Sequence, residues 1–197
     1  MDLVLYIHGK GGSAAESGHY RPLFPGCEVE GIEYRGTTPR EAGAEIRAAV
    51  EERAGRYASI LLIANSIGAY FSMCAGIGGT ISKAYFISPI VDLERLILDL
   101  MRRDGVTEER LRAEGRIRSS FGEELSWDVL CDIRDHPPQW DVPTAILYGG
   151  RDALTDRETV ARFAAAHNAR LTVIEDAEHW FRTPGQMRAL DAWILEN

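Results

Sequence analysis

Four short segments of this chain hold residue types that could together carry out acyl chemistry. Ser66 stands in Ala64-Asn65-Ser66-Ile67-Gly68, and Lys10 in His8-Gly9-Lys10-Gly11-Gly12-Ser13. Asp152 closes Leu147-Tyr148-Gly149-Gly150-Arg151-Asp152, and His179 is central in Ala177-Glu178-His179-Trp180-Phe181. A serine hydroxyl is a weak nucleophile at neutral pH and needs a base within hydrogen-bond reach. A histidine can take that proton and return it to a leaving group. A carboxylate on the other ring nitrogen fixes the tautomer and steadies the imidazolium. Small residues two positions either side of Ser66 suit a tight strand-to-helix turn, where bulky side chains would collide. Ala64 departs mildly from the usual glycine. Taken alone, the string also fits a serine in an ordinary turn.

These residues must be positioned by elements legible in the apolar pattern. Leu3 to Ile7 is a continuous apolar run, as in a strand buried on both faces. Further strands are predicted over Cys27 to Tyr34, Ser59 to Asn65, Lys83 to Ser88, Thr144 to Tyr148 and Arg170 to Ile174. Between them lie helix starts. Thr38-Pro39-Arg40-Glu41, Thr155-Asp156-Arg157-Glu158 and Thr183-Pro184-Gly185-Gln186 each read as a capping box. Ala42, Ile46, Ala49, Val50 and Ala54 share one face of the first of these helices. The stretch 14–24 is polar and irregular. From Asp92, a helix cap, the texture turns helical: to about Gly105, then 107–115 and 124–134, until His136-Pro137-Pro138 breaks the pattern. Residues 92–140 thus read as an all-helical insertion between two strands. Strand–helix alternation predicts a mainly parallel sheet between helices, whose sites lie beyond the carboxyl ends of its strands. Lys10, Ser66, Asp152 and His179 all follow such ends.

Composition narrows the function. The 197 residues fit one compact domain. A formal net charge of −8 argues against nucleic acid as main partner, since phosphate binding needs a basic surface. No apolar run approaches the ~20 residues of a membrane span. The start of the chain reads as a strand and not as a signal peptide. Three widely spaced cysteines, Cys27, Cys74 and Cys131, suit reduced thiols and a cytoplasmic setting, with no disulfide or zinc framework indicated.

The four motifs, in the order nucleophile, acid, histidine, resemble the α/β-hydrolase superfamily, and the resemblance spans nearly the whole chain. It implies an α/β-hydrolase fold in a minimal six-stranded form, because the loop His8–Ser13 follows the very first strand and the family's usual first two strands are missing. It implies Ser66 as nucleophile, Asp152 as acid and His179 as base, with the backbone N–H groups of Lys10 and Ile67 as oxyanion hole. An arginine after the second strand, here Arg35, often braces loops in the family. The insertion would act as a small lid, with Leu96, Leu100, Met101, Phe121 and Trp127 lining an apolar pocket; an amphipathic face also serves plain packing.

Rivals have structural readings. Asp92 makes a good helix cap and Asp156 lies inside a capping box, and Asp176 and Glu178 suit solvated loop charges. His167 falls at a helix end, His136 before a proline, and His8 in the first loop; His19 is the least constrained. The expected activity is hydrolysis of a small-molecule carboxylic ester or thioester through an acyl-enzyme, without metal or cofactor. Acyl transfer or amide cleavage by the same triad, and a non-catalytic binding module on a hydrolase fold, stay open, because fold alone does not prove activity. Substrate identity and oligomeric state are not written in the sequence.

Overall fold

The computed structural model describes residues 1–197. Its frame is a six-stranded sheet in which every neighbouring pair is parallel. The strands are β1 (Leu3–Ile7), β2 (Glu28–Ile32), β3 (Ile60–Asn65), β4 (Lys83–Ile87), β7 (Thr144–Gly149) and β8 (Arg170–Ile174). They lie in the order β2-β1-β3-β4-β7-β8. Between β4 and β7 the insertion adds a small antiparallel pair, β5 (Arg116–Arg118) and β6 (Glu124–Ser126). The helices are α1 (Pro39–Arg53), α2 (Ile67–Cys74), α3 (Leu93–Asp104), α4 (Glu108–Glu114), α5 (Trp127–Asp135), α6 (Arg157–Ala166) and α7 (Pro184–Glu196). None is long and apolar enough to cross a membrane.

Alternation along the strands sorts side chains into two cores. Leu3, Leu5 and Ile7 of β1 join Leu62, Phe86 and Ile146 in the larger one, against α1, α2 and the insertion. Val4 and Tyr6 join Ile63, Tyr85 and Leu147 on the opposite face, against α7. Because both faces are covered, the strands must be apolar throughout. Each fully buried aliphatic side chain contributes roughly 1.5–3 kcal/mol. The edge strand β2 reads more polar because its Glu28 and Glu30 face outward, accepting from Tyr57 and Arg53, and a 3-10 turn, Ala14–His19, packs against it. At Gly31 the backbone comes so close that a Cβ would fall 1.9 Å from the Ala14 carbonyl oxygen.

The Thr38 and Thr183 capping boxes form as expected, each side-chain oxygen accepting from the amide three residues on. Two expectations fail. The cap of α6 is Asp156, whose carboxylate accepts the Thr159 amide at 2.8 Å, and not Thr155. The insertion is not all helical. Residues 124–126 pair with 116–118, turning through Gly122 at φ +81°, and only then does α5 begin. Leu125 joins the core and Ser126 is buried beside it as the cap of α5, with Glu124 left exposed, so a strand buries this stretch as well as a helix would.

Candidate active site

Ser66 follows the carboxyl end of β3 and precedes α2. Its φ of 54° and ψ of −120° are rare for a residue with a Cβ. The turn is held by its own backbone, the Ser66 N–H donating to the Ile87 carbonyl and the Ser66 carbonyl accepting from Ile90. The hydroxyl makes no capping bond to α2 and so is free for another partner. Gly68 permits the turn to sit where it does. A Cβ there would stand 2.5 Å from the His8 carbonyl oxygen, so only glycine lets α2 start against the end of β1. Ala64 is fully buried between Ile7 and Phe86 of the neighbouring strands. A methyl group fits there, and the missing glycine costs the turn nothing visible.

Ser66 Oγ lies 2.8 Å from His179 Nε2, and His179 Nδ1 lies 2.6 Å from Asp152 Oδ2. His179 is 2% exposed and the Asp152 side chain 0%. Asp152 follows β7 in a turn that surrounds its carboxylate with donors. Oδ1 accepts the amides of Leu154 and Thr155 at 2.7 and 3.1 Å, and Oδ2 accepts the Thr155 hydroxyl at 3.2 Å. With every other neighbour donating to this carboxylate, the imidazole Nδ1–H donates too, and Nε2 is left to accept from Ser66. Thr155 was expected to cap a helix. Its hydroxyl donates to the Asp152 carboxylate instead.

The glycine-rich loop after β1 packs beside the serine, since a Cβ on Gly9 would stand 3.2 Å from Ser66 Cβ. The Lys10 amide makes no hydrogen bond within the protein. The Ile67 amide opens α2, where a helix has no carbonyl of its own to offer. The Lys10 ammonium is paired with Glu123, from the turn between β5 and β6, at 2.5 Å. Sequence reasoning missed that partner, 113 residues away, because no local pattern marks it.

The rival residues fall outside this line. Asp92 caps α3 through the Arg95 amide, and Asp156 caps α6. His19 meets Asp191 at 2.7 Å, His136 meets Asp132 at 3.0 Å, and His167 bonds the Trp140 carbonyl at 2.8 Å. His8 stacks on Tyr34 with centroids 4.3 Å apart, and Tyr34 donates to the His8 carbonyl. Asp176 pairs with Arg151 on the surface, and Glu178 is exposed. The loop after β2 is braced not by the Arg35 guanidinium but by Glu45, which accepts the Arg35 and Gly36 amides at 2.9 and 2.8 Å.

The residues expected to line a pocket take different places. Leu100 and Met101 are buried in the main core. Phe121 is 54% exposed, with the Arg103 guanidinium over its ring. Leu96 and Trp127 are half-buried against the core. An unpredicted aromatic stands at the site. Trp180 is 52% exposed, edge-on to the His179 ring with centroids 5.0 Å apart, and carries Arg182 on its face.

No protein-family model and no curated protein matches this sequence. Solved structures do. Est1E from Butyrivibrio proteoclasticus superposes with a TM-score of 0.73 at 18% identity, over 99% of this chain and 86% of that one. The Pyrococcus furiosus esterase Pf2001 gives 0.62 at 16% identity, over 99% and 81%. The thioesterase domain from the curacin biosynthetic pathway gives 0.61 at 15%, over 100% and 91%. The chain therefore has the α/β-hydrolase fold, and at these identities the likeness speaks for the fold alone.

Proposed function

We propose that this protein is a serine hydrolase that cleaves a small carboxylic ester or thioester through an acyl-enzyme on Ser66. The observation that carries the reading is the unbroken hydrogen-bonded line from Ser66 through His179 to Asp152, whose two inner members are shielded from water. Fold neighbours that include an esterase and a thioesterase domain support the ester and thioester classes.

In the forward step Ser66 Oγ attacks the substrate carbonyl carbon while His179 Nε2 takes the hydroxyl proton. The negative charge that forms on the carbonyl oxygen is met by the amides of Lys10 and Ile67. Losing one fixed donor of this kind typically raises the barrier by ~3–4 kcal/mol. The imidazolium, held at Nδ1 by Asp152, passes the proton to the leaving oxygen or sulfur as the C–O or C–S bond breaks. Water, activated by the same Nε2, then releases the acid and regenerates Ser66. Residues 92–140 serve as a lid whose β5–β6 turn reaches the oxyanion loop through Glu123.

A fluorophosphonate probe tests the nucleophile. Wild-type protein is expected to label at one serine and Ser66→Ala to remain unlabelled and inactive on 4-nitrophenyl esters. Equal labelling of the variant, or none of the wild type, rejects the assignment.

A further inference from the structure

The segment that offers the Lys10 amide contains Gly9, Gly11 and Gly12, with Gly11 at φ +75°. Glycines leave a loop many backbone states, yet an oxyanion donor must be held within about 0.5 Å of its productive place. Something outside the loop has to choose one state. At its two ends, Tyr34 donates to the His8 carbonyl at 2.9 Å and His19 meets Asp191 at 2.7 Å; three further tertiary contacts fall between them. The Lys10–Glu123 pair is solvent-exposed. Glu33, itself exposed, accepts the Ala14 amide at 2.9 Å. The third is sheltered on one side: Tyr6, 1% exposed on β1, donates its phenol to the carboxylate of the exposed Glu16 at 2.5 Å.

The placement of that third contact matters. Tyr6 lies two residues before His8, on the strand that feeds the loop, and Glu16 lies on the turn that leaves it. Their bond closes residues 6–16 into a ring with the glycines on its rim. The Glu16 carboxylate rests directly against Gly12, where an added Cβ would stand 2.9 Å from both of its oxygens. The absence of a side chain at Gly12 is thus what admits the carboxylate, and the carboxylate in turn limits where Gly9 to Gly12 can move. On the other side of the loop, Gly9 is already in contact range of Ser66 Cβ.

Resting on the reading of Ser66 as nucleophile, we infer that Tyr6 and Glu16 are positioning residues of the oxyanion hole: their half-buried hydrogen bond fixes the glycine loop over Ser66 and so aims the Lys10 amide. Neither side chain need touch substrate. Burial, and then the bond to Glu16, push the Tyr6 phenol above its ordinary range, so it stays a donor throughout the neutral range.

Three variants separate this role from plain fold stability. Tyr6→Phe keeps the ring in the core and removes the donor. Glu16→Gln keeps an acceptor oxygen. Gly12→Ala pushes the carboxylate aside without altering either partner, and as a loop substitution it keeps the test alive if Tyr6→Phe fails to fold. Each is assayed on 4-nitrophenyl acetate, and against a trifluoromethyl ketone, which adds to the serine as a tetrahedral oxyanion. Tyr6→Phe and Gly12→Ala are expected to lower kcat roughly 10- to 100-fold, as a misplacement near 1 Å does. KM should hold within about twofold and ketone affinity fall by the same factor as kcat/KM, because only the tetrahedral species uses the hole. Glu16→Gln should retain most activity. Folded variants with unchanged kcat, or a fall in kcat without loss of ketone affinity, overturn the inference. Fluorophosphonate labelling of Ser66 in wild type and variants keeps such a failure distinct from a failure of the nucleophile itself.

Discussion

The carboxyl edge of the sheet and the insertion over it are built on different physical terms. At the edge, Ser66, Asp152 and His179 follow β3, β7 and β8, and their contacts are short and largely withdrawn from solvent. The insertion also buries apolar side chains, among them Leu111, Leu125 and Leu130. Its segments are tied to one another by ion pairs in water. Arg134 joins Glu94 at 2.6 Å and Glu108 at 2.7 Å, Arg116 joins Glu124 at 3.0 Å, and Asp104 accepts from the Ser120 hydroxyl and amide. Exposed pairs contribute ~0–1 kcal/mol each and weaken with salt. Sheltered hydrogen bonds do not weaken in that way, and removing one partner leaves the other stranded. The Ser66–His179–Asp152 line thus sits on the sheltered part, while the insertion beside it is held by contacts that solution conditions can loosen.

The sharpest break of this contrast compares two aspartates. Asp152→Asn should lower kcat on 4-nitrophenyl acetate by about 10⁴-fold, because an amide in place of the carboxylate favours the wrong imidazole tautomer. Asp92→Asn should change it little, because asparagine caps a helix as well as aspartate does. The opposite outcome would move the acid to the insertion boundary and dissolve the distinction.

Next in size is the response to pH, which should separate the regions by sign. All seven tyrosines lie outside residues 92–140. Burial pushes the phenols of Tyr6, Tyr20, Tyr34 and Tyr70 above their ordinary range, and that of Tyr148 up to about 12. These groups stay protonated in the folded protein while the unfolded chain loses its phenolic protons from pH ~10 upward. Their contribution is therefore complete below pH ~10 and is lost above it. The Tm should fall steeply between about pH 10 and 11.5, together with a cooperative rise in tyrosinate absorbance. A flat Tm over that range would contradict the burial of these rings.

Acid should act on the insertion. Hydrogen bonds from Ser120 hold the Asp104 carboxyl below its usual range, and Arg134 does the same for Glu108. Depressed carboxyls stabilise above the unfolded value near 4 and lose that contribution as pH falls through the folded one. Amide exchange in residues 92–140 should rise below pH ~4 before exchange in the sheet does. Simultaneous loss would make the two regions one cooperative unit.

The smallest effect belongs to the contact that joins them. Lys10→Ala and Glu123→Ala should each alter kcat/KM less than about fivefold, since an exposed pair is worth at most ~1 kcal/mol. Raising salt to about 1 M should reproduce the change in wild type and not in either variant. A loss of 100-fold from Lys10→Ala would give the ammonium itself a place in the reaction.

How much of this was legible beforehand follows from how far each signal reaches along the chain. Continuous apolar runs announced strands covered on both faces, and Thr38, Asp92 and Thr183 announced helix starts, because those signals are contained in a few neighbouring residues. The tight turn at Ser66, with Gly68 beside it, was of the same kind. Residues 116–126 misled because short alternating and helical patterns overlap, and the choice was made by Leu125 finding the core. Thr155 misled because it and Asp156 can both cap, and the decision lay with Asp152, whose carboxylate took the Thr155 hydroxyl. Leu100 and Met101 had the right chemistry for a pocket wall, and packing made them core.

The sequence by itself determined most of the elements, the four strand-end segments and the order in which Ser66, Asp152 and His179 occur, since local sterics and burial patterns are written in consecutive residues. Tertiary structure alone decided the strand order, the 2.8 and 2.6 Å contacts from Ser66 through His179 to Asp152, Glu123 on Lys10 and Glu16 under Gly12. Most of those are meetings of residues far apart in the chain, and even the nearest, across a glycine turn, depends on a strand outside it. Which partner each group finds is set by how the whole sheet and its insertion close, and no local pattern carries that information.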